Sequence, residues 1–189
     1  IAKFVHADRA YIFKYDFIQK TTSNTYEWCA DDISPEIDNP QQVPITAIPE
    51  WINAHRKKSS FIVHDVDKLP DTGPHGLKGI LEPQGIKSLI TIPMISGERL
   101  IGFIGFDSVQ HKKKYSDREE TLLSVYSEIL VNIELRQKYE LELLNKKTRF
   151  QKIIGSIDLG LVEVDQNFNI LFANASFLRF YKYTTKDLV

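Results

Sequence analysis

The side chains here that could do chemistry are Cys29, the five histidines (His6, His55, His64, His75, His111) and the aspartates near residue 65. Their spacing excludes more than it supports. No His-x-x-x-His pair occurs, and no cysteine stands at zinc-site distance from a histidine, so surface or capping roles are expected for the histidines. Asp65, Asp67 and Asp71 have the look of a calcium loop, yet Leu69 and Pro70 fall where such a loop needs an oxygen ligand and a glycine. A single cysteine rules out an intrachain disulfide and any mechanism in which one thiol attacks and another resolves. Cys29 alone would still support sulfenic acid chemistry, but burial in a strand would make it inert, which is the expectation here. A nucleophile with its base, a carboxylate pair and a metal cluster are all missing, so nothing marks the chain as an enzyme. What remains is a binding constellation. Trp28, Trp51, Met94 and Phe103 could line a pocket, with Asp65 or His75 giving a polar contact at its mouth; the competing reading is that the large apolar side chains fill the core.

The elements that must position these residues are organised around residues 87–109, KSLITIPMISGERLIGFIGFDSV, two apolar runs joined by Ser96-Gly97-Glu98-Arg99. β-branched and aromatic residues favour strand in both. Neither run alternates cleanly with polar residues, which predicts a central hairpin covered on both faces. Residues 10–15 (AYIFKY) and 25–30 (TYEWCA) read as a second hairpin, with Tyr26, Trp28 and Ala30 on one face. Residues 31–44 hold three of the eight prolines in an acidic stretch and read as an irregular loop over a pocket. Helical spacing of Ile48, Trp51, Ile52 and His55 predicts a helix over 46–57, with His55 among the basic residues at its C-terminal end. A brief strand at 61–63 and a short helix around Leu77, Ile80 and Leu81, stopped by Gly85, precede the central hairpin.

Ser116 and Glu119 form a capping box, and nothing breaks helix from there to Ile154. Roughly 38 residues at ~1.5 Å each give a rod on the order of 55 Å, long for one domain. Along it Leu122, Tyr126, Ile129 and Ile133 continue at 4-3 spacing into Arg136, Glu140 and Lys147, an apolar seam with a polar middle that predicts a parallel homodimer. Past Gly155, two short apolar runs around an Asp165-Gln166-Asn167 turn and a helical pattern at Phe177, Leu178 and Tyr181 start a second α/β unit. Formal net charge is −1, which gives no electrostatic case for nucleic acid. No window suits a membrane span, and the expected location is cytoplasmic. The chain starts at Ile1, not Met, and is expected to be part of something longer.

ADRAYIFKYD, NTYEWCADDISPEIDN, IVHDVDKLP, QGIKSLITIPM and GERLIGFIGFDSV together resemble GAF domain segments of bacterial sensory proteins. GLVEVDQNFNILFANASFLRFYKYTTKDL resembles the start of a PAS domain, with Asn174 and Phe177 at positions where that family often carries them and Lys182 where a glycine commonly precedes Tyr183. The resemblance implies an α/β (α+β) fold with an antiparallel sheet of about six strands and helices on both faces. Its divisions would be a GAF core over 1–115, a coiled-coil-like linker helix over 116–154 and an incomplete PAS unit over 155–189. It further implies a small-molecule pocket, dimerisation through terminal helices, and an output domain downstream of the PAS unit, a histidine kinase or diguanylate cyclase. The pocket-helix region 74–84 has no cysteine, so no covalent bilin is expected. The ligand should be small, neutral or weakly charged and held noncovalently. The alternatives are a GAF-fold enzyme and a dimerisation module with no ligand.

Overall fold

The computed structural model describes residues 1–39 and 41–182, arranged in two compact units, Ile1–Ile133 and Glu134 onward. Pro40 of the expected loop and residues 183–189 of the expected PAS unit, Tyr183 among them, lie outside the described residues.

The first unit is a six-stranded sheet in the order β3-β2-β1-β6-β5-β4, every neighbouring pair antiparallel. Its strands are β1 (Arg9–Asp16), β2 (Thr21–Cys29), β3 (Val43–Pro44), β4 (Phe61–Val63), β5 (Ser88–Ser96) and β6 (Arg99–Ser108). The expected hairpin, β5 with β6, is central, and Gly97 at φ 60° makes the turn that an L side chain would resist. Two cores explain why neither strand alternates with polar residues. Leu89 and Phe103 point to one face, with Tyr11, Phe13, Trp51 and Leu81; Ile90, Ile92, Ile104 and Phe106 point to the other, with Val5, Tyr115 and Leu123. Gly105 is required by β1: a Cβ there would sit 1.9 Å from the Tyr11 ring.

Over the first face lie α1 (Pro49–Arg56) and α2 (Leu77–Leu81), the latter prolonged by a 3-10 turn (Glu82–Gln84) that Gly85 ends at φ 71°. The helix expected over 46–57 is split: Ile45–Ala47 is a 3-10 turn, and Ile48 (φ −128°, ψ 53°) is non-helical before Pro49 because a residue preceding proline is kept out of the α region. β2 begins at Thr21, four residues before the sequence signal, since Thr21 and Thr22 pair with both β1 and β3 and the turn is built by Asp16 accepting from Ile18 N and Gln19 N, both at 2.9 Å.

The second face is covered by the amino-terminal turns and α3 (Asp117–Ser156). The capping box forms as read: Glu119 N–H donates to Ser116 Oγ at 3.3 Å, and Ser116 N–H donates to Glu119 Oε2 at 3.0 Å. Leu123, Ser127 and Val131 are the buried residues of α3, and Ser127 Oγ donates to Pro93 O at 3.0 Å. Tyr126 packs on the same core, whereas Val125, Ile129 and Ile133 stay about half exposed, at 49, 49 and 48%. The seam predicted for a partner is thus shared, with Tyr126 turned to the sheet.

In the second unit β7 (Val162–Val164) pairs antiparallel with β8 (Ile170–Ala173), followed by α4 (Ala175–Tyr181). Buried Asn174 organises it. Its Oδ1 accepts from Phe177 N and Leu161 N, both at 2.9 Å, and its Nδ2 donates to Leu159 O at 2.8 Å and Ile154 O at 3.2 Å, so every polar atom of the amide is satisfied. Among the described residues, no helix is long and apolar enough to cross a membrane.

Candidate functional site

Strand periodicity places Arg9, Tyr11 and Phe13 of β1 on the face under α1 and α2, beside Asn24 and Glu27 of β2 and Phe103 and Asp107 of β6. Together with Ile48 and Trp51 from above and Ile80, Leu81, Gln84 and Ile86 at the side, they line a partly open cavity of about 50 Å³.

One end of this cavity is charged and internally paired. Arg9, 1% exposed, donates from Nε to Asp107 Oδ1 at 3.1 Å and from Nη2 to Gln84 O at 2.9 Å, and its Nη1 stands 3.9 Å from Glu36 Oε1. Glu27 Oε2 accepts from Glu36 N at 2.7 Å and Ile37 N at 2.9 Å, which ties the loop after β2 to the sheet. Burial pushes the Asp107 carboxyl up to about 7, against the pull of Arg9. Burial alone would lower the Arg9 guanidinium, and Asp107 more than offsets that, so Arg9 remains a cation.

The other end is aromatic. Phe103 stacks on Phe13 with centroids 4.9 Å apart, and Trp51 meets Phe103 at 5.1 Å and stacks on Phe61 at 5.4 Å. Behind these rings sits His55, fully buried and not at the solvent-facing helix end that the sequence suggested. Its Nδ1 lies 2.8 Å from Tyr15 Oη and its Nε2 lies 3.0 Å from Thr91 Oγ1. Because Thr91 Oγ1 donates to Phe61 O, it accepts from Nε2–H; Nδ1 is then an acceptor for the Tyr15 hydroxyl, which fixes a neutral tautomer. Burial depresses His55 to about 4 and raises Tyr15, so both groups hold these forms at neutral pH.

Among the described residues, two polar atoms of the lining side chains have no partner, Trp51 Nε1 and Asn24 Oδ1, and both are shut off from solvent.

Of the six residues singled out as a pocket, the structure brings Trp51 and Phe103 together at this cavity. Trp28 packs on the opposite core, since it pairs with Ala10, one residue out of phase with Arg9 and Tyr11. Met94 is 1% exposed, and the two-residue period puts it on the face of Ile90 and Ile92. His75 lies along an outer groove with Pro49, Pro70 and Leu77, separated from the cavity by Ile48 and Trp51, which line both. Asp65 caps a 3-10 turn by accepting from Asp67 N at 3.2 Å and pairs with Lys112 Nζ at 2.8 Å, away from the cavity wall. The single shared pocket is therefore corrected to a smaller one whose polar groups, Arg9, Asn24, Glu27 and Asp107, the sequence reading passed over. Asp107, the one charge in the LIGFIGFDSV run, was the available signal. Cys29 is half-buried, not buried as expected; burial, with Glu27 nearby, raises its thiol, which disfavours the reactive thiolate. Among the described residues, no group of three or more His, Cys, Asp or Glu is placed to hold a metal ion.

Comparison with known proteins agrees with this architecture: residues 1–132 match the GAF domain family. The chain belongs to the GAF family. Among curated relatives, the methanogenesis regulatory histidine kinase FilI of Methanothrix harundinacea (strain 6Ac) is 29% identical over 169 residues, 86% of this chain. The chain spans 18% of that relative's length. Among solved structures, the blue-light-absorbing form of the Thermosynechococcus elongatus PixJ GAF domain matches with a TM-score of 0.60 at 17% identity, over 76% of this chain and 85% of that one. GAF3 from Slr1393 of Synechocystis sp. PCC6803, in its photoproduct state, gives 0.60 at 21% identity, over 76% and 89%. A domain of a putative two-component sensor histidine kinase protein from Sinorhizobium meliloti gives 0.57 at 19%, over 73% and 86%. At these identities the shared property is the GAF fold. Membership of the GAF family is consistent with a sensory or regulatory module.

Proposed function

We propose that this chain is the sensory part of a longer signalling protein, in which the cavity under α1 and α2 binds a small molecule noncovalently and without turnover. The output would be a histidine kinase, as in the relative from Methanothrix, or a diguanylate cyclase, reached through α3 and a PAS-like unit begun by β7, β8 and α4. The protein would act in the cytoplasm as a parallel homodimer along α3, where Val125, Ile129 and Ile133 remain half exposed after the helix has docked on its own sheet.

The observation that carries this reading is the cavity wall. Buried, unpartnered polar atoms on two residues that line an aromatic-walled cavity are the kind of groups that a small polar ligand can satisfy. α3 packs on the opposite face of the same sheet, so a ligand that favours one sheet geometry biases the helix by its differential affinity, typically ~1–3 kcal/mol of coupling. The test is to fill the cavity with Ile80→Trp in the full-length protein and measure output activity in cells. Output locked at one level, with the chain still folded, is expected. Output that stays regulated with the cavity filled would refute a sensory role for this site.

A further inference from the structure

The cavity wall specifies what it would hold, in charge, size and hydrogen bonding. Trp51 Nε1–H is a donor and Asn24 Oδ1 an acceptor; the residues are 6 and 5% exposed, both line the cavity, and neither atom has a partner. A buried polar group left unmet costs more than a made bond returns, so an occupant that answers both is favoured over an apolar one.

The charged groups of the wall are already engaged. Arg9 is the one cation among the described residues lining the cavity, and its guanidinium is committed to Asp107, Gln84 O and Glu36. An anionic ligand would add a third negative group beside Asp107 and Glu27 without a free cation, and a cationic ligand would have to share Asp107 with Arg9, or Glu27 with the amides of Glu36 and Ile37, while losing its own hydration. Size is limited as well. A water occupies about 10–15 Å³ on this scale, so 50 Å³ holds three to five non-hydrogen atoms, several-fold fewer than a nucleotide or a tetrapyrrole has.

We infer that the cavity binds a neutral molecule of about three to five non-hydrogen atoms carrying one acceptor for the Trp51 indole N–H and one donor for Asn24 Oδ1, the chemistry of a short-chain carboxamide or alcohol. This rests on the sensory reading and names the ligand class for the same site.

The test is an NMR titration of the 189-residue chain, following the Trp51 indole resonance, with propionamide, propan-1-ol, propionate and propylammonium as probes. Saturable shifts are expected with propionamide or propanol, and binding of the two charged probes at least about tenfold weaker. Trp51→Phe, which keeps the ring and removes the donor, and Asn24→Leu, which removes the acceptor, should each weaken the better neutral probe roughly threefold to tenfold. With Trp51→Phe the cavity amides report in place of the indole. Propionate bound as well as propionamide, affinity unchanged in both variants, or water as the only occupant with every probe would overturn the assignment. If a charged or larger molecule shifts the Trp51 indole instead, the sensory reading survives and this ligand class fails. Regulated output from the Ile80→Trp protein would remove both.

Discussion

His55 supports the aromatic end of the cavity, and its protonation state can be read out as stability. The imidazole is held neutral between Tyr15 and Thr91, with its folded pKa depressed from 6.5 to about 4 by burial. Between those values the unfolded chain binds the proton that the folded chain refuses, so the His55 contribution is fully present above pH 6.5 and is lost as pH falls towards 4. At roughly 1.4 kcal/mol per pH unit, the loss by pH 4 is about 3 kcal/mol. Asp107 acts in the opposite sense. Its folded pKa, about 7, is raised above 3.8, so its contribution is present at low pH and is lost as pH rises through that interval. The two slopes largely cancel in the parent protein, which is why the parent's pH profile alone is uninformative. The informative quantity is the stability gap between the parent and His55→Gln, measured by urea unfolding at several pH values, because Asp107 and the surface carboxylates cancel in the difference. The gap should shrink by about 3 kcal/mol from pH 7.5 to pH 4. A gap constant over that range would mean that His55 titrates alike in both states, and the neutral-tautomer argument would be wrong.

Phe103→Ala and Ile92→Ala remove side chains 1 and 2% exposed from the two cores and should each cost about 2–5 kcal/mol, read as a melting temperature lowered by several degrees; both melting within a degree of the parent would contradict a central hairpin. Arg9→Met leaves Asp107 buried beside Glu27 without its cation and should destabilise by about 3–5 kcal/mol at pH 8, less at pH 5, where Asp107 is protonated; equal losses at both pH values would show that the carboxylate is not what suffers. Arg136→Leu, Glu140→Leu and Lys147→Leu together replace polar positions of the α3 seam, including an exposed Arg136–Glu140 pair at 2.8 Å, and should tighten a homodimer in light scattering. A triple variant that stays monomeric at high concentration would remove the basis for that interface.

The central hairpin, its two buried faces and the start of the long helix were legible in the chain because they depend on local spacing: β-branched and aromatic runs, Gly97 and Gly85 at the turns, and the Ser116–Glu119 box, whereas the GAF fold was legible only through the resemblance of whole segments to that family. Trp51 and Phe103, which the fold places on one cavity, stood out in the sequence only as large apolar residues. The tertiary structure decided which residues share a cavity, since that depends on strand phase across the sheet. Trp28 looked like a partner of Trp51, but pairing with Ala10 turns it to the other core, while the same phase brings Arg9, Asn24 and Asp107, 98 residues apart at the extremes, onto one cavity. His55 shows the same limit. A histidine beside Arg56 and Lys57 reads as a helix end in water, and only the rotation of α1 onto β5 carries it to Thr91, where burial decides its charge.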